Sequence, residues 1–114
     1  MNVATDGAPP RRDSETFERR CIERALRDRE RYRYVHPRLQ YEDSGWRVRS
    51  PCCSRRIDAE GGEIDIARLQ PVDVRRWRLY AREHALASWR LVQEGALGEL
   101  LQRLRLDPLR EFWP

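Results

Sequence analysis

The sequence predicts a single α+β domain: an N-terminal helix, a four- to five-stranded antiparallel sheet and a C-terminal leucine-rich helix. Apolar residues recur about every four positions near the N-terminus, at every second position in the middle, and at helical spacing again near the C-terminus. A chain of 114 residues has room for one modest core, so we expect these segments to form one domain with the helices on one face of the sheet.

The N-terminal segment predicts a tail followed by a helix. Residues 1–12 contain one glycine and two prolines, and we expect a flexible tail there, with the domain at 13–114. Asp13 or Ser14 can cap the helix, because their side-chain oxygens accept hydrogen bonds from free N–H groups of the first turn. The apolar residues that follow form one stripe at helical spacing: Phe17, Cys21, Ile22, Ala25 and Leu26.

The middle of the chain predicts strands, because apolar and polar residues alternate there. The segments 31–41 (RYRYVHPRLQY) and 46–50 (WRVRS) flank the turn sequence EDSG, which indicates a hairpin. A third strand follows a Gly-Gly pair and contains Ile64, and two further strands contain Trp77 and Trp89.

The C-terminal segment predicts a second helix from Ala96 to Leu106 that covers the apolar face of the sheet. Four leucines recur there at helical spacing: Leu97, Leu100, Leu101 and Leu104. After this helix Asp107-Pro108 can start a new turn, and we expect Phe112 and Trp113 to fold back as a terminal anchor.

A Trp-Arg-aliphatic triplet occurs three times, beginning at Trp46, Trp77 and Trp89. Neighbouring side chains of a strand point to opposite faces, so we expect all three tryptophans in the core and arginines on the opposite face. The candidate anion-binding residues on that face are Arg47, Arg49, Arg76, Arg78 and Arg90.

Two interpretations of this arginine-bearing face stay open. Gathered guanidinium groups can bind phosphate or carboxylate groups, so the face could contact a nucleic-acid backbone or an acidic protein. Alternatively, it is a solvated surface on which Glu63, Asp65 and Glu83 pair with arginines across strands.

Composition does not decide between them. A net charge of +4 favours an anionic partner, but all 23 basic residues are arginine, which codon usage in a GC-rich genome also explains. Acidic residues are interleaved with the arginines, as in a solvated helix with internal ion pairs.

Two further roles are considered for the 31–41 strand. Tyr32, Tyr34 and Tyr41, mixed with arginines, are typical of stacking platforms for single strands, although no nucleic-acid-binding motif accompanies them and half-buried strand aromatics are common. The exposed edge of this strand could also mediate a homodimer.

A thiol or metal site is the competing prediction. Arginines around Cys52 and Cys53 could favour a thiolate, and His36 or His84 could serve as a base or zinc ligand. Adjacent cysteines point apart in an extended segment, so inert thiols are the alternative, and Cys21 lies on the apolar stripe. No catalytic motif is present, and the acidic segment IDAEGGEID lacks EF-hand order. We therefore assign no catalytic residue, metal or cofactor, and expect a binding module rather than an enzyme.

The chain is expected to be cytoplasmic and to have no membrane partner. It contains neither an apolar run of roughly 18 residues nor a signal segment at its start. Three cysteines, an odd number, fit a reducing compartment.

The order of these motifs resembles a small bacterial family. A charged helix, a Trp-x-Leu-Tyr strand at Trp77, a second tryptophan strand at Trp89, a leucine-rich helix, Asp107 and a terminal aromatic pair follow one another. Over residues 15 to 114 this pattern is similar to the domain of unknown function numbered three-zero-two-four. The resemblance implies the fold and a bacterial setting, and it carries no activity or site residue.

Overall fold

The structure, a computed structural model, describes residues 8–29, 36–51 and 62–113, with side chains described from residue 15 onward. Within these ranges the chain forms two helices and one five-stranded antiparallel sheet, which confirms the predicted α+β class. In chain order the elements are α1 (Ala8–Arg27), β1 (Arg38–Glu42), β2 (Gly45–Pro51), β3 (Glu63–Pro71), β4 (Trp77–Glu83), β5 (Ser88–Gly95) and α2 (Leu97–Leu106).

The strands pair in chain order, so β1 and β5 form the two edges of the sheet. Every pairing is antiparallel. The predicted turn between the first two strands is confirmed, and both Asp43 and Ser44 have positive φ there. A two-residue turn of this kind matches the right-handed twist of its flanking strands.

The first strand begins later than predicted. β1 starts at Arg38, so His36 and Pro37 precede it, while residues 31–35 lie outside the described ranges. Proline has no N–H group to donate to a strand ladder, which favours a strand start directly after Pro37.

The first helix begins earlier than predicted. Residues 8–12, which we expected in a tail, are helical, and Asp13 and Ser14 lie inside α1 rather than at its cap. Prolines are tolerated in a first helical turn because the N–H groups of that turn lack intrahelical partners in any case. The apolar stripe buries Ile22 and Leu26, but Phe17 at its start is 67% exposed.

The core lies between the two helices and one face of the sheet, which we call the covered face. The other side of the sheet is the open face. Sheet residues that are buried in this core are Trp46, Val48, Ile64, Ile66, Ala67, Leu69, Trp77, Leu79 and Ala81. Two of the three triplet tryptophans therefore occupy the predicted position.

The second helix buries its leucine stripe as predicted, with Leu100, Leu101 and Leu104 in the core. The Glu99 side chain accepts a hydrogen bond of 3.1 Å from the backbone N–H of Ala96 and so caps the first turn. Among the described residues, no helix has the length and apolar character that a membrane crossing needs.

The chain after α2 folds back onto the core around Asp107. This residue has a φ of 41° and is buried, and its carboxylate accepts hydrogen bonds from the backbone N–H groups of Glu111 at 2.6 Å and Trp113 at 3.1 Å. Phe112 and Trp113 are each 2% exposed, which confirms the predicted terminal anchor. The guanidinium carbon of Arg29, after α1, lies 4.7 Å from the Trp113 ring centroid.

Candidate functional site

The third triplet does not follow the first two, because β5 contains a β-bulge. Leu79 pairs with Gln93, but the next β4 residue, Tyr80, pairs with Leu91, so Val92 is left without a directly opposite partner. One extra residue reverses the side-chain alternation between the two parts of the strand that flank it, here the part before Val92 and the part after it. Trp89 and Leu91 consequently lie on the open face, and the prediction that Trp89 occupies the core is wrong.

The five arginines predicted to share a face are also divided. Arg47, Arg49 and Arg78 lie on the open face, opposite the buried residues of their strands. Arg76 lies in the turn before β4, where it pairs with Asp73 at 3.5 Å.

Arg90 is the fifth arginine, and it lies on the other face. The bulge in β5 places it opposite Ala81, at the rim of the covered face. There Arg90 pairs with Glu83 at 2.5 Å and with Glu111 at 3.3 Å. The prediction that it shares the open face is therefore wrong, for the same reason as that of Trp89.

The β1–β3 half of the open face is an ionic lattice. Arg47 pairs with Glu42 at 2.9 Å, Arg49 with Asp65 at 3.2 Å, and Arg38 with Glu63 at 2.5 Å. The hydrogen bond with Glu63 raises the pKa of Arg38, and the same bond lowers the pKa of Glu63. These arginines are paired with carboxylates of the protein, as the solvated-surface interpretation expects of Glu63 and Asp65, although the buried Nε atoms of Arg47 and Arg49 have no hydrogen-bond partner in the part of the chain that the structure describes.

The β4–β5 half of the open face is different, because aromatic and aliphatic side chains stand there between arginines. Register places Arg68 opposite Tyr80 and Tyr80 opposite Leu91, with Arg82 opposite Trp89 in the next row. The open-face residues Arg68, Tyr80, Arg82, Trp89 and Leu91 are called the aromatic patch. Leu91 is 51% exposed, whereas the leucines on the strands of the covered face are buried.

Both arginines of the aromatic patch have long ion pairs. Arg68 reaches only Asp43, at 3.5 Å, and the Asp43 side chain is 74% exposed. Arg82 is 4.0 Å from Asp65, and its guanidinium carbon lies 5.0 Å from the Trp89 ring centroid. The closest ion pair of each of these two arginines is thus longer than the closest pairs of the ionic lattice.

A shallow depression of about 270 Å³ lies within the patch, lined by Arg68, Gln70, Tyr80 and Trp89. Arg78, which lies opposite Gln70, donates a hydrogen bond of 2.9 Å to Glu94, and this bond, followed by the one with Tyr80, raises the pKa of Arg78. The depression is therefore lined by one cation, one amide and two aromatic rings.

Strand periodicity explains the orientation of part of this patch. Tyr80 and Arg82 alternate with Leu79 and Ala81, so their position on the open face follows from strand periodicity. Arg68 was not singled out, and Trp89 was assigned to the wrong face. Only the register between β4 and β5 brings them together.

The tyrosine platform predicted on the first strand is not formed by Tyr41. This residue lies on the covered side of β1, where its ring meets the Trp46 ring edge-on at 4.9 Å. Tyr32 and Tyr34 lie outside the described residues.

The thiol and metal candidates are separated or lie outside the described ranges. Cys52 and Cys53 lie outside the described ranges. His36 precedes β1, and His84 lies in the turn after β4, so two strands stand between them. Burial, and then the charge of Arg82, lower the pKa of His84. Within the described residues, no cluster of three His, Cys, Asp or Glu side chains suits a metal ion.

Cys21 is half-buried and packs against the core from α1, in agreement with its predicted place on the apolar stripe.

The fold and its two unlike sheet faces define a small α+β domain with one surface left uncovered by its own helices. The chain belongs to the family described as Domain of unknown function (DUF3024), which matches residues 10–114, and this confirms the resemblance seen in the sequence. No curated protein and no solved structure matches the chain. The family description assigns no activity, so the geometry of the open face carries the functional argument.

Proposed function

We propose that this protein is a binding module that contacts an anionic partner through the aromatic patch on its open sheet face. The observation that carries the proposal is the contrast within this face. Arginines of the ionic lattice are held by short ion pairs, while Arg68 and Arg82 have long pairs and stand beside exposed apolar side chains.

Arg68 can exchange its partner Asp43 for a ligand at a small cost in free energy. Its pair with Asp43 is long and solvent-exposed, and pairs of this kind contribute roughly 0 to 1 kcal/mol. An Arg–phosphate or Arg–carboxylate contact with two parallel hydrogen bonds is stronger than the interaction it replaces. The guanidinium group of Arg82 lies over the Trp89 ring, and its pair with Asp65 is long, so an acceptor on a ligand can compete for its N–H donors.

The apolar part of the patch adds affinity without charge. Covering Trp89, Tyr80 and Leu91 removes apolar surface from water, at roughly 25 cal/mol for each Å². Arginine beside tyrosine and tryptophan is also the combination that most often dominates binding energies in interfaces.

A titration with a generic polyanion tests the proposal. Heparin is titrated into the protein over a salt series, with the double variant Arg68→Gln/Arg82→Gln and a matched variant Arg47→Gln/Arg49→Gln from the ionic lattice. We expect binding that weakens as salt rises, a loss of about tenfold or more in the first variant, and a smaller loss in the second. No binding at low salt, or equal losses in both folded variants, would contradict the proposal.

The alternative function, a thiol or metal protein centred on Cys52 and Cys53, stays a prediction. Thiol titration and metal analysis of the folded protein test it: unreactive cysteines and absent zinc end it.

The homodimer through the first strand also stays a prediction. The described edge, β1, has five residues and carries Arg38, Gln40 and Glu42 on one side, and short charged edges oppose strand addition. Light scattering across a concentration series measures the oligomeric state directly.

A further inference from the structure

We infer that the anionic partner is a single-stranded nucleic acid, with an unpaired base stacked on the ring of Trp89 or Tyr80 and flanking phosphates bound by Arg68 and Arg82. The inference rests on the proposed function and names the partner of the same patch. It follows from the arrangement of rings and cations, from the size of the depression, and from the carboxylates around it.

The rings and cations of the patch alternate over a short distance. Tyr80 and Trp89 are diagonal neighbours on β4 and β5, and Arg68 and Arg82 are diagonal neighbours on β3 and β4, about 7 to 8 Å apart between Cα atoms. A single strand offers the same alternation of flat base and negative phosphate. Phosphates on both sides of one stacked base can therefore reach a guanidinium group.

The depression is small. Its volume of about 270 Å³ lies just below the roughly 300 to 1,000 Å³ typical of pockets for drug-sized ligands. It is open and shallow, as is a surface on which a base lies flat, and Arg68 and Gln70 line it beside the two rings.

A duplex fits this surface poorly. Its bases are already stacked on one another, so they leave the exposed rings unused. Its second backbone would also extend beyond the patch, toward Glu94 on one side and Asp65 on the other. Those carboxylates oppose further phosphates, and the remaining open-face arginines around Asp65 are occupied.

An acidic protein fits less well for a different reason. Carboxylates would satisfy Arg68 and Arg82, but acidic side chains have no flat surface that stacks on Trp89. Stacking of a base on an aromatic ring contributes to binding whatever the sequence of the strand.

Four ligands of equal nominal charge test the inference with the full chain: a ten-residue thymidine strand, an abasic strand of the same length, a DNA duplex and polyglutamate. We expect the thymidine strand to bind at least tenfold more tightly than the abasic strand. Polyglutamate and the duplex are expected to bind no more tightly than the abasic strand.

Substitution of Trp89 separates stacking from charge. Trp89→Ala is expected to lower affinity for the thymidine strand by about 5- to 150-fold and to lower affinity for the abasic strand much less, while Trp89→Phe retains most of the affinity. Phe17→Ala removes an aromatic ring from α1 that is 67% exposed, more than that of Trp89, and serves as the control, with no change expected. Circular dichroism verifies that each variant is folded.

The outcomes distinguish this inference from the proposed function. Equal binding of the thymidine and abasic strands, with both weakened by Arg68→Gln/Arg82→Gln, overturns the stacking inference and leaves the anion-binding function standing. Tighter binding of the duplex or of polyglutamate overturns it in the same way. Absence of binding to heparin and to every probe at low salt overturns both.

Discussion

The covered face and the open face of the sheet each carry tryptophan from the same tripeptide pattern, in unlike surroundings. Trp46 is 1% exposed, and its indole N–H donates a hydrogen bond of 2.9 Å to Glu18 of α1. Trp89 is half-buried beside Arg82 and is followed by an exposed Leu91. The tripeptide alone therefore does not decide which face its tryptophan occupies. The register with the neighbouring strand decides it.

The carboxylate clusters of the two faces also differ in how exposed they are to solvent. At the rim of the covered face, Glu111, whose side chain is 11% exposed, joins Arg90 and Arg103 in one cluster. On the open face, Glu94 joins Arg76 and Arg78 in a more exposed one. Desolvation strengthens charge interactions, so the rim cluster should contribute more to stability.

The largest expected effect separates the two tryptophans. Trp46→Ala should lower the free energy of unfolding by about 3 to 5 kcal/mol, because it leaves a large cavity in the core. Trp89→Ala should lower it by less than about 1 kcal/mol, since its ring is partly in water. Urea denaturation measures both, and equal losses would show that the two faces do not differ as described.

A matched pair of aspartates in the left-handed conformation gives the next largest effect. Asp107→Asn should cost about 2 kcal/mol, because one carboxylate oxygen becomes an amide NH₂ that faces backbone N–H donors. Asp43→Asn should change stability by less than about 0.5 kcal/mol, because that carboxylate is exposed. Thermal and urea unfolding provide the measurement; an Asp107→Asn protein of unchanged stability would refute the role given to this carboxylate.

Two glycines, Gly45 in β2 and Gly98 in α2, differ in how much room their surroundings leave for a side chain. A Cβ at Gly45 would lie 2.4 Å from the backbone oxygen of Leu69 and 2.8 Å from the Gln70 amide oxygen, so Gly45→Ala should cost about 1 to 3 kcal/mol. Gly98→Ala in α2 meets no atom within 4 Å and should raise stability by up to about 1 kcal/mol. Urea midpoints compare the two, and a neutral Gly45→Ala would mean that the β2–β3 approach is looser than it is here.

The smallest expected effects come from the two carboxylate clusters. Burial raises the pKa of Glu111, but hydrogen bonds from Arg103 and Arg90 outweigh it and leave that pKa below its ordinary value. A hydrogen bond from Arg78 likewise lowers the pKa of Glu94. The stability that each carboxylate adds is therefore present above its unfolded pKa, about 4.3, and is lost as pH falls through the folded pKa.

Substitution by glutamine checks this sign. Glu111→Gln should lower stability at neutral pH by about 1 kcal/mol, with the difference from the native chain shrinking below about pH 5. Glu94→Gln should show the same direction with a smaller amplitude that added salt reduces further. Unfolding measured between pH 3 and 8 follows both variants; a larger effect for Glu94 would reverse the comparison of the two faces.

Strong periodicity made most elements predictable. The leucines of α2, the alternation around Trp46 and Trp77, and the apolar pair at the C-terminus each act over a few residues, and each was assigned correctly. The start of α1 was not, because two prolines are compatible with both a tail and a first helical turn.

The candidate site was less predictable than the fold. Its residues come from β3, β4 and β5, and no short sequence window contains them all. The arginines singled out from the triplets lie mostly in closer ion pairs, whereas Arg68 and Arg82 lie outside the triplets.

The sequence by itself determined the order of helices and strands, the antiparallel pairing of successive strands, and the leucine stripe that closes the core. Only the tertiary structure decided which way Trp89, Arg90 and Leu91 point. A bulge at Val92 arises from how β5 pairs with β4. Side chains alternate between the faces with a period of two. One unmatched residue therefore puts the side chains on one side of it out of step with those on the other side.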